Sequence, residues 1–158
     1  MTNMNQDLYQ LQRGHTPLVI SFPHVGTDLP LALRPLYTER ALQVEDTDWF
    51  LDRLYAFAGE LGASLLVPKL SRYVIDLNRP PTNQPMYAGQ NNTELCPTRH
   101  FTGEAIYRPG QAPDEAQIQQ RVATYWQPYH QALADEVARV HAQHGHAVLF
   151  DAHSIKSE

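Results

Sequence analysis

At 158 residues and 42% hydrophobic content, the chain can bury a core as one domain over 1–158 without disulfide or metal staples. Its 17 acidic and 12 basic side chains give a net charge of −5, and the Lys and Arg residues are scattered, which excludes the basic stripe of a nucleic-acid binder. Cys96 is the only cysteine, so no internal disulfide forms and a cytoplasmic location is expected. The opening MTNMNQDLYQLQRG lacks a charged leader and an apolar core of the secretory type, and no apolar run approaches the ~18 residues of a membrane span.

In chain order, PLVISF at 17–22 is short, β-branched and apolar, and Pro23 closes it, as for a buried strand. Apolar residues then recur at Leu51, Leu54, Tyr55, Ala58 and Leu61, one face of a helix that Gly62 stops. Segments 64–67 and 73–77 read as two further strands separated by Pro68 and a polar step. From 78 to 113 the chain is rich in Pro, Asn, Thr and Gly without periodicity, and a loop of that length is expected to cover a site.

Pro113, Asp114 and Glu115 open a second helical stretch, with Ile118, Val122, Tyr125, Tyr129, Leu133, Val137 and Val140 on its apolar face. Pro128 predicts a kink or a division within it. Segment 147–150 returns to strand composition. Strands alternating with helices predict an α/β fold with parallel pairing, whose ligands collect beyond the carboxyl ends of the strands.

Three polar clusters occupy such positions. SFPHVG presents His24 at the mouth of the first strand, where neutral imidazole suits a metal; a loop histidine bonded to the backbone is the plainer alternative. EDTDW places Asp46 and Asp48 just before the 51–61 helix, as anionic ligands or as N-caps. DAHS follows the last strand, and strand alternation puts Asp151 and His153 on one side, with Asp151 able to orient the imidazole. Two imidazoles and a carboxylate leave a coordination position open, the pattern of a catalytic zinc site.

Between them, SRYVIDLNRP sets Arg72, Asp76, Asn78 and Arg79 around one segment. Guanidinium groups bind carboxylates bidentately, so Arg72 and Arg79 suit an acidic substrate, and an ion pair with Asp76 is the internal alternative. His141, His144 and His146 complement the dipole at a helix end, and Cys96 reads as a small apolar side chain. No serine-hydrolase elbow, Walker loop or dinucleotide turn occurs.

The succession SFPHVG, EDTDWFLDRLY, SRYVIDLNRP, YHQAL and DAHS resembles the N-formylglutamate amidohydrolase family from about 17 to 154. The resemblance implies hydrolysis of N-formyl-L-glutamate to formate and L-glutamate in histidine degradation, with a divalent metal, zinc by preference. It implies a three-layer α/β sandwich with a mixed, largely parallel central sheet, similar to zinc-dependent exopeptidases and amidases. It assigns the metal to His24, then Asp48 in preference to Asp46, then His153, the same three forming the catalytic set. Arg72, Asn78 and Arg79 become the contacts of a small acidic substrate, with neither nucleic acid nor membrane as a partner. Another zinc amidase or carboxypeptidase and a non-catalytic remnant are the alternatives. Members of the family continue well beyond DAHS, so the carboxyl-terminal part of the family domain is expected to be missing here, with an exposed sheet edge inviting self-association.

Overall fold

The computed structural model describes residues 8–82 and 94–155. Four strands form one mixed sheet: β1 (Tyr9–Gln12), β2 (Leu18–Ser21), β3 (Ser64–Pro68) and β4 (Val148–Asp151), in the order β1-β3-β2-β4. β2 pairs in parallel with β3 and with β4, with Ser21 opposite both Leu66 and Asp151, while β1 runs antiparallel to β3. The expected strands at 17–22, 64–67 and 147–150 are therefore present. β1, with Tyr9 and Leu11 partly buried and Gln10 and Gln12 exposed, was not among them.

Side chains on the two faces of β2 and β3 point into different cores, as the two-residue strand period requires. Ile20 and Leu65 pack with Phe22, Leu51, Ala58, Ala63 and Ala152 beneath the short helices α1 (Leu51–Leu54) and α2 (Ala56–Glu60). Leu66 joins a larger cluster on the opposite face that includes Tyr73, Ile75, Val122, Tyr129 and Ala132. That face is covered by α4 (Gln127–His144), which touches both β2 and β3.

The 51–61 segment is divided at Tyr55 rather than continuous, and Leu54 and Leu61, expected on the buried face, are 67% and 71% exposed. Neither Asp46 nor Asp48 caps it. The residue before α1 is Phe50, in a left-handed conformation with φ 62, and no side chain closes the helix start.

The second helical stretch begins as its acidic opening predicts. Asp114 accepts from the Gln117 backbone while the Gln117 side chain accepts from Asp114 N–H, a reciprocal capping box at the start of α3 (Glu115–Arg121). A π-helical turn over Val122–Trp126 then links α3 to α4, and Pro128 lies in the first turn of α4, where its missing N–H costs little. The division that Pro128 announces is thus displaced to the turn before it. α4 ends at Gly145, which takes φ 76.

The buried face of α4 is Tyr129, Ala132, Glu136 and Val140, and it contains a carboxylate that the apolar periodicity passed over. Glu136 is 1% exposed and accepts from Ser64 Oγ at 2.6 Å and Arg139 Nε at 2.9 Å.

Segment 73–77 is buried, as its composition predicts, but it is not a strand. Side chains meet three of its carbonyls. Tyr37 and Tyr107 hydroxyls donate to the Tyr73 carbonyl, Arg121 donates to Val74, and the His130 ring lies 2.9 Å from the Leu77 carbonyl. Asp76 N–H donates to the Leu95 carbonyl at 2.7 Å. Such pairing lets irregular backbone remain inside a core. Of the loop expected over 78–113, residues 83–93 lie outside those described, and the remainder is irregular apart from isolated bridges such as Tyr37 to Tyr107.

β4 lies at one edge of the described sheet, and Val148, Leu149 and Phe150 are 53%, 45% and 42% exposed. No helix among the described residues is long and apolar enough to cross a membrane.

Candidate metal centre

Because β2 and β4 are parallel neighbours in register, the chain leaves both at the same end of the sheet. His24 stands three residues beyond Ser21 and His153 two beyond Asp151, and their rings approach with centroids 5.0 Å apart. The loop after β2 is held close to the 69–71 segment by Asp28 N–H to the Lys69 carbonyl and Ser71 N–H to the Asp28 carbonyl. Gly26 makes this approach possible, since a Cβ there would stand 2.2 Å from the Leu70 carbonyl oxygen.

Asp48 joins the two imidazoles. Its backbone N–H donates to the His24 carbonyl, and its Oδ2 lies 3.8 Å from His24 Nδ1, 3.7 Å from His153 Nδ1 and 3.1 Å from the Ser154 N–H that donates to it. One ligand atom from each of His24, Asp48 and His153 lies within 4.8 Å of the others. Two ring nitrogens and one carboxylate oxygen at this spacing suit a first-row divalent ion.

The protonation states suit such an ion too, since metal ligands must be deprotonated. Burial pushes the His24 pKa below the ordinary imidazole value, against the opposing pull of Asp76. Burial alone would raise Asp48, but its contacts with His153, Ser154 N–H and His24 outweigh that and hold it below the ordinary carboxylate range.

His24 has a second partner that faces away from Asp48. Its Nε2 lies 2.7 Å from Asp76 Oδ1, and that carboxylate is wholly buried. Asp76 Oδ1 also accepts from Asn78 N–H at 2.9 Å, while its Oδ2 accepts from Arg72 Nη2 at 2.7 Å. Burial opposes ionisation of Asp76, but the His24 contact and Arg72 hold its pKa well below the ordinary value. Arg72 itself is buried, with its guanidinium 4.8 Å from the Phe101 ring centre.

The other expected residues are placed as follows. Asn78 Nδ2 lies 3.4 Å from His153 Nε2, at the edge of the cluster. Arg79 Nη1 donates to the Asn78 carbonyl, and its own carbonyl accepts from Trp126 Nε1. Asp46 belongs to a separate group. It accepts from the Tyr73 hydroxyl and from Phe101 N–H, and it gathers with Glu45 and His100, where Arg40 pairs with Glu45. Of the two aspartates, Asp48 is the one that lies near both imidazoles. Among the described residues no hydrogen bond or ion pair joins Asp151 to His153.

A cavity of about 320 Å³ opens beside Asp48, walled by Glu45, Asp46, Thr47, Phe101, Thr102 and Ser154 among others. The long loop contributes Phe101 and Thr102 to that wall.

Residues 16–158 match the family model of N-formylglutamate amidohydrolase, which is nearly the whole chain. The chain belongs to the N-formylglutamate amidohydrolase family. Within it, the chain is 46% identical over 151 residues to an N-formylglutamate deformylase of Pseudomonas aeruginosa, a match covering 96% of this chain and 56% of that protein. It is 44% identical over 145 residues to an N-formylglutamate deformylase of Pseudomonas putida, covering 92% of this chain and 54% of that one. The chain therefore spans little more than half the length of these amidohydrolase relatives. The fold is similar to the crystal structure of N-formylglutamate amidohydrolase from Ralstonia eutropha JMP134, with a TM-score of 0.76 and 24% identity over 94% of this chain and 57% of that one. A gene product from Agrobacterium tumefaciens gives a TM-score of 0.75 at 20% identity, over 98% of this chain and 59% of that one. Those two likenesses concern architecture. The α/β fold with a mixed sheet is thereby shared with a solved member of the amidohydrolase family.

Proposed function

We propose that His24, Asp48 and His153 hold one divalent metal, zinc by preference, and serve the hydrolysis of N-formyl-L-glutamate to formate and L-glutamate, a step of histidine degradation. The observation that carries this reading is the convergence of three ligand-competent side chains, drawn from 24 to 153 along the chain, within 4.8 Å at one end of a parallel strand pair. Three protein ligands with both nitrogen and oxygen donors match the catalytic rather than the structural pattern of zinc. That placement also supports a fold of the zinc-dependent exopeptidase and amidase type.

When bound, the ion supplies Lewis-acid polarisation of the formyl oxygen and a water-derived nucleophile near neutral pH. The described side chains supply charge and substrate contacts. Asp48 brings the negative charge and is kept in register by Ser154 N–H. Asn78, beside His153, and Arg79, next in the chain, are the proposed contacts of the substrate carboxylates, and Arg72 pairs with Asp76.

The test combines elemental analysis with formate release. Purified protein is expected to carry about one zinc per chain, as a single catalytic site requires. His24→Ala and His153→Ala should each lose it. Formate release from N-formylglutamate, compared with hydrolysis of N-acyl peptides, checks the substrate. Unchanged metal content in both variants removes the site, and hydrolysis confined to peptides removes the substrate assignment.

A further inference from the structure

The ring of His24 is held from two sides, and only the side facing Asp48 and His153 belongs to the proposed metal set. The opposite nitrogen, Nε2, meets a wholly buried carboxylate with three donors around it. Asp76 Oδ1 takes His24 Nε2 at 2.7 Å and Asn78 N–H at 2.9 Å, and Oδ2 takes Arg72 Nη2 at 2.7 Å. Resting on the metal reading above, we propose that Asp76, fixed by Arg72, is the positioning residue of the site: it selects the His24 tautomer with hydrogen on Nε2 and so leaves the Nδ1 lone pair facing Asp48 and His153.

The argument is one of donor and acceptor counting. A carboxylate flanked by a guanidinium and a backbone N–H offers His24 Nε2 only an acceptor, so that nitrogen carries the proton. Nδ1 is then bare, which is the state a metal ligand needs. The guanidinium of Arg72 keeps the arrangement from turning over, because it occupies Oδ2 and is packed against Phe101.

Replacing Asp76 by Asn breaks this arrangement at either amide orientation. With the amide oxygen toward His24, the NH2 group meets the Arg72 guanidinium, donor against donor. With the amide oxygen toward Arg72, the NH2 group faces His24 Nε2, which must accept; the ring proton moves to Nδ1 and the lone pair is lost. Losing the outer partner of a ligating histidine typically weakens metal binding about 10–100-fold.

Two measurements on the full chain test the proposal. Long-range proton–nitrogen correlation spectra of metal-free protein, recorded above the imidazole titration range, are expected to show His24 protonated at Nε2. A ring protonated at Nδ1 in the wild type overturns the inference whether or not any metal binds. Zinc competition against a chelating dye then compares wild type with Asp76→Asn, with the metal-free circular dichroism of each recorded beforehand. A loss of about 10-fold or more in affinity is expected, and equal affinities overturn the proposal. If Asp76→Asn does not fold, the wild-type tautomer decides alone. A wild-type chain that takes no zinc removes the metal reading instead, and the spectra separate that outcome from a failure of Asp76.

Discussion

Glu136→Gln is expected to destabilise the protein by about 2 kcal/mol at neutral pH, for reasons visible around one carboxylate. Glu136 sits on the buried face of α4, and its oxygens take the Ser64 hydroxyl, two nitrogens of Arg139 and a more distant contact from Arg13 at 3.4 Å. Ser64 is wholly buried at the start of β3 and its Oγ accepts from Gly14 N–H, so the group ties α4 to the sheet and to the turn after β1. Hydrogen bonds to a charged partner contribute roughly 1.5–3 kcal/mol each. The neutral amide retains one acceptor and turns NH2 toward the other donor, so the Ser64 bond weakens by about half of that. Arg139 is 25% exposed and can rehydrate, which limits its share to about 1 kcal/mol or less. At about 2–4 °C per kcal/mol for a chain of this size, the melting temperature should fall by about 4–8 °C. The pH dependence follows from the same group. Burial opposes ionisation of Glu136, but Arg139 and Ser64 hold its pKa below the ordinary value of 4.5. The unfolded chain therefore takes up this proton first as pH falls, so the stability Glu136 contributes is present above about 4.5 and is lost through its lower folded value. Melting curves of both proteins across that range should converge on the acid side. Equal melting temperatures at neutral pH, or a gap that persists after Glu136 is protonated, would refute the assignment.

Three further outcomes follow from single contacts. Gly26→Ala drives a Cβ into the Leu70 carbonyl, and since backbone cannot swing aside, a loss of at least about 3 kcal/mol in urea titration is expected; a stable, unshifted variant would mean that the two loops do not approach as described. Tyr129→Phe removes the 2.6 Å contact with Ser21 Oγ in a site where both side chains are buried, which should cost about 1–2 kcal/mol and leave zinc content unchanged. The Cys96 thiol is buried and pushed up to about 11, so a thiol reagent should label it only after unfolding; native-state reaction at the rate of a free cysteine would contradict its placement.

How much of the fold was readable turned on whether local pattern and tertiary partner agreed. β2, β3 and β4 are short apolar runs and each stands where composition puts it, although only β2 and β3 are buried and β4 lies exposed at the sheet edge. The Asp114 capping box is likewise local, made by two residues three apart. The helix at 51–61 reads wrongly because its pattern reports apolar residues, not their burial: Leu54 and Leu61 lie on the outside while Leu51 and Ala58 meet the sheet. β1 escaped notice since two glutamines alternate with its two inward residues, and only pairing with β3 makes four residues a strand. Segment 73–77 is the instructive failure. Its hydrophobicity correctly announces burial, but strand composition does not compel a ladder, and here Tyr37, Tyr107, Arg121 and His130 meet backbone carbonyls that a neighbouring strand would otherwise take.

The candidate site divides along the same line. His24 and His153 could be named from the residues because each follows its strand directly, and parallel pairing of β2 with β4 then brings both to one end. Only the family resemblance favours Asp48 over Asp46, because the two have the same chemistry in sequence; in the structure Asp46 is turned toward Tyr73 and Phe101. Asp76 was harder still. A carboxylate beside two arginines reads as one half of an ion pair, and the pair with Arg72 does form, but a two-oxygen group has a second atom to place. Nothing in the spacing of 24 and 76 reports that the free oxygen meets an imidazole from another loop. That contact exists because 73–77 abandoned the sheet: in a strand Asp76 would direct its side chain to one face of a ladder, whereas the irregular backbone, held by side chains from four other places, turns it toward the mouth of β2. The departure from local pattern and the placement of the proposed positioning residue therefore go together, and a change that restored strand geometry at 73–77 would be expected to weaken zinc binding at the proposed site without touching His24, Asp48 or His153.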